Sequence, residues 1–248
     1  MNAVAAAFVF APALALGSFL NVVAARVPLR RSVVSPPSSC MSCEARIAWY
    51  DNVPLVSYAI LRGRCRSCGT AIPWKYPLVE LLTALLIAAC VLAFGLTGEA
   101  AVASLFCAAL VAISVTDFER KVIPNRIVLP AAAVVLIAQT ALHPSPQWAL
   151  AACGASLFLL IAAFAYPAGM GMGDVKLALL LGAMLGWTVP VAMMIAMLSA
   201  LVPATVLLVR HGSAARKMAI PFGPFLALGG LVALFAGEPL VDAYLGLF

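Results

Sequence analysis

Charge is what this sequence has least of: 10% of its 248 residues are Asp, Glu, Lys or Arg, against about 25% in soluble domains. With 65% hydrophobic residues, that shortage excludes a water-soluble globular domain and implies an integral membrane protein. Histidine is almost absent. His143 and His211 fall in separate turns, no H-E-x-x-H occurs and no serine lies in a nucleophile motif. Metallo-, serine- and cysteine-hydrolase chemistry therefore lacks its groups. No repeat of solenoid period is visible and the two halves do not resemble each other, which argues against an inverted-repeat transporter. Acidic residues number nine, and one placed at membrane depth is expensive enough to need a reason.

What the chain does have is a series of apolar stretches, at residues 3–25, 78–96, 100–116, 127–142, 147–167, 174–188, 190–209 and 221–236. Most approach the ~20 residues that span a bilayer. They predict an all-α membrane protein of about eight transmembrane helices, with the short stretches 127–142 and 174–188 leaving seven spans or a re-entrant segment open. The first stretch has no positive charge ahead of it and no small-residue cleavage site before the basic residues, the pattern of a retained helix rather than a removed signal peptide. The fifteen Lys and Arg fall in alternate connections: after the first helix, at Arg120, Lys121 and Arg126, at Lys176, and at Arg210, Arg216 and Lys217. The intervening loops have none. By the positive-inside rule the basic connections face the cytoplasm and both termini face out. The net charge of +6 then reflects topology and attraction to anionic membrane lipid, and no nucleic-acid partner is implied. The chain divides into a first transmembrane helix (1–25), a cytoplasmic insert (26–77) and a multi-helix membrane domain (78–248).

Four of the seven cysteines sit in that insert. Cys40-Met41-Ser42-Cys43 and Cys65-Arg66-Ser67-Cys68 form C-x2-C, x21, C-x2-C, a spacing suited to tetrahedral thiolate coordination of zinc. A reducing compartment disfavours disulfides there. The insert also has few large apolar residues, so a structural zinc would supply stability that a core cannot. A small zinc-ribbon-like fold between the first two membrane helices is the expectation, with Cys90, Cys107 and Cys153 as small core residues of apolar helices.

Two aspartates stand where apolar runs break off. Asp117 opens D-F-E-R-K-V-I-P-N and Asp174 closes G-M-G-M-G-D. Taken singly, Asp117 could be an interfacial helix end and Asp174 an N-cap. Their company argues for more: Gly169, Gly171 and Gly173 alternate before Asp174, a costly pattern unless backbone must open or approach something closely. Helix order puts both acids on the cytoplasmic side. Two carboxylates a few ångströms apart share a proton, one acting as base toward water and the other as acid toward a carbonyl. Asp174 near the start of its helix and Asp117 near the end of its own would make Asp174 the ionised base and Asp117 the proton donor. The competing readings are a proton- or cation-coupled transporter built on the same acids and a scaffold that docks partners through its cysteine array.

Six phrases occur in order: Gly17-Ser18-Phe19-Leu20-Asn21-Val22 with Arg26 and Pro28; the double C-x-x-C array; Tyr76-Pro77 with Glu80; Asp117 through Ile123-Pro124-Asn125; Gly169 to Asp174; and Pro221-Phe222-Gly223-Pro224. In these the chain resembles the prepilin leader peptidases, GxGD-type membrane aspartic proteases of bacterial type IV pilus and type II secretion systems. Lys75 stands where that family usually has arginine, keeping the charge but losing the planar fork. The resemblance implies a bacterial inner-membrane endopeptidase that removes the short basic leader of prepilins and pseudopilins after a glycine, on the cytoplasmic side. Asp117 and Asp174 would be catalytic, with Gly171, Gly173, Pro124, Asn125 and Lys176 binding substrate or shaping the site. It also implies N-methylation of the new amino terminus with S-adenosylmethionine as donor, an activity tied to the insert.

Overall fold

In lipid each backbone polar group must find its partner within its own segment, so apolar runs become helices. The computed structural model describes residues 2–166, 170–212 and 220–246. Its helices are α1 (Asn2–Arg26), the short α2 (Val56–Ile60), α3 (Lys75–Phe94), α4 (Gly98–Arg120), α5 (Asn125–Leu142), α6 (Gln147–Ala165), α7 (Met172–Leu185), α8 (Val189–His211) and α9 (Gly223–Leu245). Among the described residues there is no strand, and sheet-like pairing is limited to the isolated bridges Ser39 with Arg46 and Arg64 with Ala71. The fold is all-α, as the composition requires, with the cysteine-bearing insert between the first two long helices.

Each of the eight expected apolar stretches contains a helix, yet among the described residues seven segments are long and apolar enough to cross a membrane. The difference lies in α7 and α8, which run as one 40-residue apolar stretch, Met172–His211. That stretch is broken at Gly186, whose φ of 55° suits a residue without a Cβ. The 14 residues of α7 rise about 21 Å, short of the ~30 Å hydrocarbon core.

The chain forms two compact units, Met1–Ala112 and Ile113–Phe248. In the first, α1 and α3 lie antiparallel: Ala6 clusters with Val91, Ala13 with Ala84 and Ile87, and Asn21 Nδ2 donates to the Tyr76 carbonyl at 3.2 Å. In the second, α7 is the hub. Leu177, Leu180 and Leu181 are wholly covered, and Gln139 of α5 donates through Nε2 to the Met184 carbonyl at 3.3 Å. Lipid gives helices no hydrophobic reason to associate, so close backbone approach at small residues must supply the attraction. A Cβ on Gly182 would collide with the Ala151 carbonyl of α6, and one on Gly229 of α9 with the Ala192 carbonyl of α8.

Gly182→Val is therefore expected to wedge α6 from α7 and destabilise the protein by about 1–3 kcal/mol or more. Gly154→Ala in α6, where a Cβ would meet nothing within 4 Å, should be neutral or stabilising by up to about 1 kcal/mol. Thermal unfolding of the two purified variants checks both, and equal melting points would contradict this packing.

Candidate active site and metal centre

The helix α4 continues past its apolar run to Arg120, so Asp117 lies in its last turn rather than after its end. Lys121, at φ 54°, stops the helix, its N–H bonding back to the Asp117 carbonyl at 2.8 Å. Pro124 then caps α5 in an extended conformation, and its carbonyl accepts from Ile127 N–H at 2.9 Å. On the other side of the site α7 begins at Met172, two residues earlier than expected. Gly171 is the N-cap and Asp174 the third helical residue. Asp174 Oδ2 accepts the Gly171 N–H at 3.2 Å, the N3 half of a capping box, while the Asp174 N–H returns to the Gly171 backbone carbonyl at 3.1 Å.

Asp117 and Asp174 line one cleft of about 280 Å³ together with Lys121, Asn125 and Lys176. Both aspartates are buried, 6% and 8% exposed. A buried carboxylate needs donors, and the one that serves Asp117 comes from far along the chain: Gly223 N–H donates to Asp117 Oδ2 at 2.9 Å, 106 residues away in sequence. Gly223 is the first residue of α9, where backbone N–H groups have no helical partner. The following proline, Pro224, has none to offer. A Cβ on Gly223 would stand 2.7 Å from Asp117 Oδ2; only glycine lets the carboxylate reach that N–H undisturbed.

The alternating glycines divide by role. A Cβ on Gly173 would come within 2.9 Å of Ile123 Cβ, so this glycine lets the segment bearing Asp174 close on the turn that follows Asp117. Gly171 has ordinary extended backbone, φ −86° and ψ 148°, and its contribution is the N–H. Gly169 lies outside the described residues, as do Arg216 and Lys217. At the rim, Lys176 Nζ donates to Asn125 Oδ1 at 2.8 Å. Of the five residues expected to accompany the aspartates, Gly171, Gly173, Asn125 and Lys176 line the cleft, whereas Pro124 acts through the α5 start. Lys121, Val122 and Ile123 line it without having been singled out.

Gly223 is the residue that sequence reasoning missed. Its phrase, Pro221-Phe222-Gly223-Pro224, carries the resemblance but names no partner for the Gly223 N–H. Asp117 lies near the C-terminal end of α4, as expected, and the start of α9 faces it just as the start of α7 holds Asp174. Helix dipoles therefore assign neither carboxylate the base role.

In the insert, each C-x-x-C closes a knuckle with the same bonding. Cys40 N–H donates to the Ala45 carbonyl at 2.9 Å and Glu44 N–H to the Cys40 carbonyl at 3.0 Å. Twenty-five residues on, Cys65 N–H bonds to the Thr70 carbonyl and Gly69 N–H to the Cys65 carbonyl, both at 2.9 Å. Glu44 and Gly69 hold matching left-handed positions, φ 57° and 71°. The pairing brings the four sulfurs within 4.8 Å of one another, with Cys40 and Cys68 at 3.8 Å. Tetrahedral zinc at about 2.3 Å from sulfur sets neighbouring sulfurs about 3.8 Å apart, so the cluster has the dimensions to hold a metal ion. Cys90 and Cys107 are buried as expected, while Cys153 is exposed on α6.

Residues 12–94 match the family model of the bacterial peptidase A24 N-terminal domain, and residues 104–209 that of the type IV leader peptidase family. The prepilin leader peptidase/N-methyltransferase of Bacillus subtilis (strain 168) is 34% identical over 94% of both chains. The protein of that name from Pseudomonas aeruginosa is 37% identical over 94% of this chain and 90% of its own, and that from Myxococcus xanthus 39% over 73% of this chain and 56% of its own. No solved structure matches the chain.

A Cβ added at Gly69 would meet nothing within 4 Å, so Gly69→Ala isolates the backbone demand of the knuckle. The left-handed conformation should cost about 1 kcal/mol. Amides of residues 65–71 are expected to exchange with deuterium several-fold faster, and unchanged exchange would show that the turn makes no such demand.

Proposed function

The chain belongs to the type IV leader peptidase family, and from that premise we propose that Asp117 and Asp174 form an aspartic dyad that cuts the leader from prepilins and pseudopilins. The observation that carries the reading is the meeting of two buried carboxylates in one open cleft, each held through Oδ2 by a backbone N–H at a helix start. A proton- or cation-coupled transporter site would not need that paired fixation. Close carboxylates cannot both ionise readily, so the pair holds one proton. The ionised partner takes a proton from water as its oxygen attacks the scissile carbonyl carbon, and the protonated partner donates toward the carbonyl oxygen. As the tetrahedral intermediate collapses, the C–N bond breaks and the leaving amine takes up a proton from the dyad. Gly171 and Gly223 set the carboxylate orientations, Gly173 the closeness of the two segments, and Lys176 with Asn125 the cationic rim.

The distribution of Lys and Arg supports an inner-membrane orientation with both termini outward, placing the insert and the Asp117 end of α4 on the cytoplasmic side. Cys40, Cys43, Cys65 and Cys68 would hold zinc, which supplies a four-thiolate staple to a segment with little core. The relatives' names carry an N-methyltransferase activity as well, and we assign it to this chain with S-adenosylmethionine as donor. The insert has no strand-to-helix glycine turn among its described residues, so no side chain is assigned to the donor and no step is derived through it.

Either Asp117→Asn or Asp174→Asn should lower cleavage of a co-expressed prepilin by at least about 10³-fold, because the pair acts as a unit. Gly223→Ala should cost about 10²-fold by displacing one carboxylate. Mass spectrometry that records leader loss and the added methyl separately reads both activities. Asp174→Asn is expected to methylate a pre-cleaved substrate still, and full cleavage by either folded Asn variant would sink the dyad. Elemental analysis should find about one zinc per chain, lost in the Cys43→Ser, Cys68→Ser double variant; unchanged metal content in that variant would remove the zinc assignment.

A further inference from the structure

One part of the insert is anchored beside the membrane helices rather than beyond them. Leu55 N–H donates to Glu80 Oε2 at 2.9 Å. Glu80 is 8% exposed and lies five residues inside α3, about 7.5 Å along the axis from its start. The 20 residues of α3 span about 30 Å, the thickness of the hydrocarbon core. The chain around Leu55 is therefore held at the depth of the headgroups and first acyl carbons.

The segment is built for that depth. Val56 N–H bonds to the Pro54 carbonyl at 2.6 Å across Leu55, whose φ of 58° and ψ of −46° make a strained γ-turn. Val53 N–H donates to Ser57 Oγ at 3.1 Å, and Ser57 Oγ donates to the Tyr50 carbonyl at 2.8 Å. These backbone groups find partners within the segment and Leu55 N–H finds Glu80, the kind of pairing that contact with lipid demands. Apart from Asn52 and the Tyr50 hydroxyl, its outward side chains are apolar: Trp49 is 83% exposed, Val56 53% and Ile60 70%, with Trp74 at the start of α3 70% exposed. Trp is the residue that favours a membrane–water boundary. The segment's one acid, Asp51, is clamped by Arg66 at 2.8 and 2.6 Å, which holds its carboxyl below the usual range. Across residues 26–77 there are eight Lys or Arg against two acids, complementary to an anionic surface.

We propose that residues 49–60 form an interfacial foot, anchored by Glu80, whose Trp49, Val56 and Ile60, together with Trp74, enter the headgroup–acyl boundary of the adjoining leaflet and bind its anionic lipid. The foot fixes the height of the insert on the bilayer. This rests on the chain crossing a membrane and is independent of the peptidase reading.

The test uses the full-length protein in vesicles of phosphatidylglycerol and phosphatidylethanolamine, with and without phospholipid brominated near the top of the acyl chain. Subtracting the emission of Trp49→Phe and Trp74→Phe proteins from wild type isolates each indole. The Trp49 component should be quenched at least twofold by bromolipid and weakly by aqueous acrylamide. Access to acrylamide with indifference to bromine would overturn the proposal. So would protection from both, which would mean that a protein segment covers the foot. Replacing phosphatidylglycerol by phosphatidylcholine should reduce the bromine effect, and equal quenching would refute the preference for anionic lipid. In Glu80→Ala protein acrylamide access to Trp49 should at least double; no change would refute the anchor, while the wild-type comparison stands whether or not that variant folds.

Discussion

Two carboxylates buried at the end of apolar helices are the constraint on which the second half of this protein is organised. A charge out of water is tolerated only where fixed donors replace its hydration, and here each aspartate takes that donor from backbone at the start of a helix. Asp174 finds Gly171 three residues away, and Asp117 finds Gly223 across the unit. Backbone N–H groups cannot rotate away as side chains can. The cost is that no Cβ fits at Gly223 without striking Asp117 Oδ2, so the position excludes larger residues for steric reasons.

That arrangement is only as firm as the packing behind it. α7 is covered along most of its length, and the glycines at 182 and 229 bring backbones into contact where lipid offers no drive for association. With α6 and α9 so held, the α7 and α9 starts have little freedom to drift from the aspartates. The insert meets a similar shortage of core by another route: two knuckles of identical hydrogen bonding place four sulfurs around a point, and a third tie from Glu80 brings one loop down to the membrane helices.

Much of this is local enough to read in sequence. Hydrophobic length gave the helices, and the repeated C-x-x-C gave the sulfur cluster because its spacing is itself the geometry. Asp117 and Asp174 stood out because an acid there is expensive. What escaped was long-range. Nothing near Gly223 in the sequence says which carboxylate its N–H will meet, so a division of acid and base roles drawn from α4 and α7 leaves α9 out of account. The apolar stretch begins at residue 174, two residues after the helix does, because Gly171 caps α7 and Met172 and Gly173 form its first turn ahead of Asp174. Cys153 shows the same limit: an apolar helix tells that a residue is in the membrane, not whether it faces protein or lipid.

The central claim is that the two aspartates titrate as one unit holding one proton in the active state. The pH dependence of single-turnover prepilin cleavage by the wild-type protein in vesicles tests it most directly. The account predicts a bell: rate lost at low pH when both carboxylates are protonated, and lost again at higher pH when both are ionised. A rate that rises through a single ionisation and then stays level would contradict it.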